Sequence, residues 1–103
     1  MWGWLTAAFV ISIVAPTVLN GAIKLAYLAF QRLLNWFHTK RATNKGLAVI
    51  VRQKLKKGDY RVIQGFFNQE TNRLGAAQAY IAEKLDDSLV SAFGHKDLIV
   101  VQN

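Results

Sequence analysis

Cysteine is absent from the 103 residues, which removes disulfides, Cys-ligated zinc and thiol catalysis together and leaves the redox compartment unread. Proline occurs once, at Pro16. Acids are scarce: six Asp and Glu stand against thirteen Lys and Arg, for a formal net charge of +7. Charge of either sign is thin, at 18% of residues, where a typical soluble domain carries about 25%. Hydrophobic residues fill 52% of the chain, which excludes disorder, and the length holds one domain at most.

The deepest deficit lies at the start. Residues 1–23 hold no charged side chain. Residues 24–61 then carry ten bases against Asp59 alone, and residues 62–103 carry three bases against five acids. The basic character is therefore concentrated just after an apolar segment.

From Trp2 to Ile23 only Thr6, Ser12, Thr17 and Asn20 are polar. As a helix this stretch reaches roughly 33 Å, enough for a hydrocarbon core of about 30 Å. A buried core helix is the competing reading, but the remaining ~80 residues offer little surface to wrap a cylinder that is apolar all round. A cleaved signal peptide fits less well, because Met1-Trp2-Gly3-Trp4 has no side-chain charge and Leu19-Asn20-Gly21-Ala22 is a poor cleavage site. The expectation is a retained single-pass anchor. The positive-inside rule then places the N-terminus outside (periplasmic or lumenal) and the C-terminal part on the cytoplasmic, stromal or matrix side. Pro16 and Asn20-Gly21 would kink the span, and a short helical hairpin over residues 2–38 is the alternative.

Beyond the span, Ile23, Ala26, Tyr27, Phe30, Leu33, Leu34 and Phe37 recur at helical spacing. They predict an amphipathic juxtamembrane helix that lies at the interface or leans on a partner. Basic residues beside a span attract anionic lipid, so Arg32, Lys40, Arg41 and Lys45 are candidate lipid contacts, with Trp2 and Trp4 as an outer aromatic belt.

The rest reads as a small mixed domain. Gly46–Gln53 and Tyr60–Phe67 are strands joined by the turn Lys56-Lys57-Gly58-Asp59. Ala76–Phe93 keeps helical spacing up to the capping Gly94. Alternatively, Asp86-Asp87-Ser88 splits that segment into a strand over 74–84 and a helix over 87–93. Leu98–Gln102 closes as a strand whose apolar run suggests burial on both faces or completion by a neighbour. The expected fold class is thus a membrane-anchored α+β chain: a transmembrane helix over 1–23, a basic amphipathic segment over 24–45, and a β-β-α-β (or β-β-β-α-β) domain over 46–103.

Chemistry is sparse. His38 and His95 lie in different zones without a second ligand at metal spacing, Ser88 and Ser91 have no base near in sequence, and Glu83, Asp86 and Asp87 read as helix caps. No phosphate-cradling glycine loop, HExxH or GxSxG occurs. No catalytic residue, metal, cofactor or small-molecule substrate is expected.

Lys54, Lys56 and Lys57 beside Tyr60, Arg61, Phe66 and Phe67 supply the ingredients of a stacking platform for nucleic acid. The stretch KKGDYRVIQG resembles the turn of the KOW motif of ribosomal and transcription proteins. The likeness covers ten residues and its hydrophobic register is shifted after Gly58-Asp59, so it is read as a generic basic hairpin turn and carries over no functional residues.

The expected function is a non-catalytic accessory, linker or assembly subunit of a larger integral membrane complex of respiratory, photosynthetic or secretory type. Its expected docking groups are Tyr27, Phe30, Trp36, Phe37, Phe66 and Phe67, because aromatics dominate interfaces. The partners are that complex and anionic lipids. Two alternatives stand behind it: a membrane-active lysis or toxin protein, and a membrane-tethered nucleic-acid-binding module, the less favoured of the two.

Overall fold

The uncharged N-terminal stretch does not form one long helix. In the computed structural model, which describes residues 5–102, it breaks into α1 (Ala7–Ser12) and α2 (Pro16–Asn20). The Thr6 side chain caps α1 by accepting the Phe9 N–H at 3.1 Å, and Ser12 Oγ donates back to the Phe9 carbonyl at 2.6 Å. Ala15 is then extended, as a residue before proline prefers, and Pro16 opens α2 at a position where its missing N–H costs nothing.

These helices are six and five residues long, and no described helix is long and apolar enough to cross a membrane. The expected transmembrane helix over 1–23 is therefore overturned. With it go the single-pass topology, the membrane-anchored fold class and the placement of the two ends on opposite sides of a bilayer. The physical reason is that the stretch is not a cylinder buried all round. Broken in two, it buries Leu5, Val10 and Val14 against a sheet and leaves Thr6, Ala8, Ser12, Pro16 and Asn20 exposed. Trp2 and Trp4, and the aromatic belt expected of them, lie outside the described residues.

The long juxtamembrane helix is also corrected. Ile23–Leu28 is a strand, β1, in which Ile23 and Leu25 turn inward and Lys24 and Ala26 outward. Ala29 is extended at ψ 140°, so the helix α3 begins only at Phe30 and runs to Lys40, followed by one 3-10 turn at Arg41–Thr43. Over six residues an alternating pattern also satisfies much of a helical stripe, which is how the spacing misleads.

Three further strands form a meander: β2 (Leu47–Lys54), β3 (Tyr60–Asn68) and β4 (Arg73–Leu85). Gly58 takes φ +94° in the β2–β3 turn, where the Leu55 N–H donates to the Asp59 carbonyl at 2.8 Å. Gly46 enters β2 at φ +117°, and a Cβ there would lie 2.5 Å from the Phe67 carbonyl oxygen, so only glycine fits. The segment 74–93 divides: β4 ends at Leu85, Asp86 caps a short helix α4 (Asp87–Phe93), and Gly94 ends it. The Ala-rich run favours helix by propensity, but β4 sits between β3 and β1 and pairs with both, and that pairing decides.

The last strand is β5 (Leu98–Val101). Sheet order is β1-β4-β3-β2-β5, with β1 parallel to β4 and every other pair antiparallel. Helices cover both faces. On one, Leu33 and Phe37 of α3 and Leu89 and Phe93 of α4 pack on Ile50, Val62, Phe66, Tyr80 and Ala82. On the other, the N-terminal segment packs on Val49, Val51, Ile63, Phe67 and Ala79. The result is a three-layer α+β arrangement in which two apolar clusters share one sheet.

Candidate functional site

Among the described residues, one polar side chain is fully buried in the core. Gln64 of β3, at 0% exposure, points to the α3 side and donates its Nε2 to the Leu33 carbonyl at 3.0 Å. A carbonyl only accepts, so this contact fixes the amide orientation and aims Oε1 at Tyr80. Tyr80 of β4 therefore donates its O–H to Gln64 Oε1. Burial raises the Tyr80 pKa above the ordinary tyrosine value, and the adjacent Arg32 guanidinium, with its Cζ 5.9 Å from the ring centroid, pulls it partly back.

This chain of contacts ends at the surface in a groove of about 310 Å³ between α3, β1 and β4. Its walls are Arg32, Asn35, Trp36, Thr39 and Lys40 from α3, with Gln78 and Tyr80 from β4 and Ile23 from β1. None of these is acidic. Residues three, four and seven positions beyond Arg32 share its helix face, which is why Asn35, Trp36 and Thr39 line the same side. Trp36 is held against Phe66, with ring centroids 5.9 Å apart and planes 24° from parallel. Asn35 Oδ1 accepts from Gln31 Nε2 at 2.8 Å, which leaves its own amide N–H groups as donors.

A second feature is the β5 edge. The Arg52 N–H donates to the Asp97 carbonyl at 3.0 Å, so that pair is hydrogen-bonded, and the antiparallel register continues as Val51–Leu98, Ile50–Ile99, Val49–Val100 and Ala48–Val101. Hydrogen-bonded pairs alternate along such a ladder. Ile99 and Val101 thus bond to β2, and the N–H and C=O groups of Leu98 and Val100 point away from the sheet. No described strand lies beyond them. All four β5 side chains are half-buried, and the strand contains no charge, proline or bulge. Beside it, the Arg52 guanidinium pairs with Asp97 at 2.9 Å and lies 4.5 Å from the Phe93 ring centroid.

The residues expected to dock a partner are dispersed. Tyr27 is exposed, at 53%. Phe37 and Phe66 are buried in the α3-side cluster, with their rings edge to face at 5.3 Å, and Phe30 packs against the same cluster. Phe67 is buried on the opposite face, 6.0 Å from Phe9. Trp36 is half-buried at the groove. Of the basic residues, Arg32 and Lys40 share the groove, Arg41 lies over Phe66 at 5.5 Å, and Lys45 is exposed beyond the 3-10 turn. On the hairpin, Lys54 Nζ sits 5.8 Å from the Tyr60 ring, while Phe66 and Phe67 are spent on the two cores.

Asn35, Thr39, Gln78 and Tyr80 escaped sequence reading, as did the outward backbone of Leu98 and Val100. The helical spacing of Arg32, Asn35 and Thr39 was a readable signal. Gln78 and Tyr80 carried none, since neither reading of their segment, helix over 76–93 or strand over 74–84, places it beside the Arg32 face. Among the described residues no group of three His, Asp or Glu side chains is placed to hold a metal ion. Compared with known proteins, the chain matches no family model, no curated protein and no solved structure.

Proposed function

We propose that the chain is a non-catalytic assembly subunit of a larger multi-subunit complex, entering it as a pair of copies joined by strand addition along β5. The observation that supports this reading is the outward backbone of Leu98 and Val100 on an apolar strand without the usual guards against edge pairing. The opposite edge, β1, carries Lys24 in an exposed position.

A second copy of the chain fits the β5 edge. A twofold axis perpendicular to the sheet keeps like faces together, so antiparallel strands pair residues of the same parity. Setting Leu98 opposite Val100 of the second copy turns both outward residues of each strand into hydrogen-bonded pairs, with Ile99 on the axis. The two apolar clusters then continue across the junction, each face meeting its own kind.

Val100→Pro tests this reading cleanly, because it removes an outward N–H and leaves the β2 ladder intact. Light scattering is expected to give the unaltered chain a mass approaching twice 11.6 kDa, falling to 11.6 kDa in a variant that keeps its folded circular dichroism spectrum but melts lower, since the pairing and the packing of the Val100 side chain are both lost. A mass of 11.6 kDa for the unaltered chain across the accessible concentration range would overturn it.

A further inference from the structure

We infer that the groove between α3, β1 and β4 is a binding site for a phosphate group, held by Arg32 and Lys40 with Asn35 as a neutral donor. The site is separate from the β5 edge, and the inference does not rest on the assembly reading.

Charge is the first argument. Arg52–Asp97 is the ion pair found among the described residues, so neither Arg32 nor Lys40 has a carboxylate within 4.0 Å there. Two cations on one wall of an acid-free groove leave a local positive potential that an anion would relieve. They stand eight residues apart on α3, about 12 Å along the axis. Both carry long flexible side chains, so from these two positions they can converge on one phosphate between them.

Preorganisation is the second. Tyr80 cannot donate to a ligand, because its proton is committed to Gln64 and Gln64 is committed to the Leu33 carbonyl. Its ring lies beside the Arg32 guanidinium, whose Cζ is 5.9 Å from the ring centroid, within reach of a cation–π contact. The buried relay thus fixes the ring that Arg32 leans on, and a ring contact leaves the guanidinium N–H groups for the ligand. Asn35 is oriented in the same sense by Gln31, with its N–H groups available. Thr39 donates to the Asn35 carbonyl at 3.0 Å, so its hydroxyl offers an acceptor and is not counted among the anion donors.

The donors favour a tetrahedral oxyanion: a planar guanidinium, an ammonium and an amide approach from different directions, as several phosphate oxygens require. Trp36, stacked on Phe66 beside these donors, gives an apolar wall for whatever bears the phosphate. That bearer is either a free phosphate ester or a lipid headgroup. The recognition chemistry is the same for both.

The test uses the full chain. Inorganic phosphate is titrated at constant ionic strength, with chloride as the replaced ion, while the NMR signals of residues 32–40 are followed. Saturable shifts centred on Arg32, Asn35 and Lys40 are expected. Arg32→Gln, an exposed position, should weaken binding about tenfold, as loss of a charge-assisted contact implies. Lys40→Gln should weaken it to a smaller degree, and Lys57→Gln on the distant hairpin should leave it unchanged. In parallel, sedimentation with vesicles of phosphatidic acid in phosphatidylcholine separates the sources. Arg32-dependent sedimentation identifies a lipid headgroup, and its absence alongside saturable phosphate shifts identifies a free phosphate ester. Failure to saturate in both arms, or equal weakening by Lys57→Gln, overturns the site.

Discussion

Asp86 and Phe30, 56 positions apart in sequence, are joined by a carboxylate cap: Asp86 Oδ2 accepts the Phe30 N–H at 2.9 Å. The same carboxylate accepts the Leu89 N–H through Oδ1 at 2.7 Å, and the Asp86 N–H donates to the Leu28 carbonyl at 3.1 Å. The Asp86 side chain thus caps α3 and α4 together, while its backbone N–H ties the end of β4 to the end of β1. Ala29, the residue at the start of α3, has no side chain able to do this.

Replacing Asp86 with Ala therefore removes two helix caps at once. The expected loss is about 2 kcal/mol, above the ~1 kcal/mol of a single cap. Asp86→Asn should retain part of it, since its single amide oxygen can serve one helix only. Urea unfolding of the unaltered chain and the two variants checks this, and equal midpoints for the unaltered chain and Asp86→Ala would refute the double cap.

The Gln64–Tyr80 pair makes an alkaline prediction. Burial holds the folded-state pKa of Tyr80 above the unfolded value near 10.0. In that window the folded state keeps a proton that the unfolded chain has lost, so stability is full below about pH 10 and falls as pH rises through it. Tyr80→Phe should remove this component of the pH dependence. At neutral pH it should also cost about 1–3 kcal/mol, because Gln64 Oε1 is left buried without a donor. Chemical denaturation of both proteins from pH 7 to 11 reads the two effects separately, with the slope difference as the signature.

The N-terminal segment makes a third. Val10 is fully buried against the sheet, among Val49, Val51, Ile63 and Phe67. Val10→Ala should cost about 2 kcal/mol from the two lost methyl groups and the cavity behind them. Ala8→Ser, on the exposed side of α1, should change stability by less than about 0.5 kcal/mol. A segment independent of the domain would show no difference between the two in thermal melts.

Sequence and structure part company where one segment serves two patterns. The hairpin is legible because GLAVIVRQ and YRVIQGFF are β-branched and apolar around a Lys-Gly-Asp turn, and β2, β3 and their Gly58 follow directly. The N-terminal helices are not, because an uncharged run of membrane length looks the same whether lipid or a sheet covers it. Pro16 and Asn20-Gly21, read as kinks, mark where α2 begins and ends. Ile23–Leu28 and the Ala-rich 76–82 satisfy helical spacing over short windows, yet both are strands because each finds a neighbour to pair with, a long-range fact that spacing does not contain. The groove shares this difficulty: Arg32 and Lys40 stand out by charge, whereas Tyr80 and Gln78 join them only through β4.

Amide hydrogen exchange at Leu98 and Val100 measures the proposed junction at its own atoms. Both N–H groups point away from β2, so in a lone chain they should exchange as fast as open edge amides, while those of Ile99 and Val101 stay protected. At concentrations where chains assemble, Leu98 and Val100 should become as protected as Ile99 and lose that protection on dilution. Rapid exchange at both positions at every concentration would contradict the proposed junction.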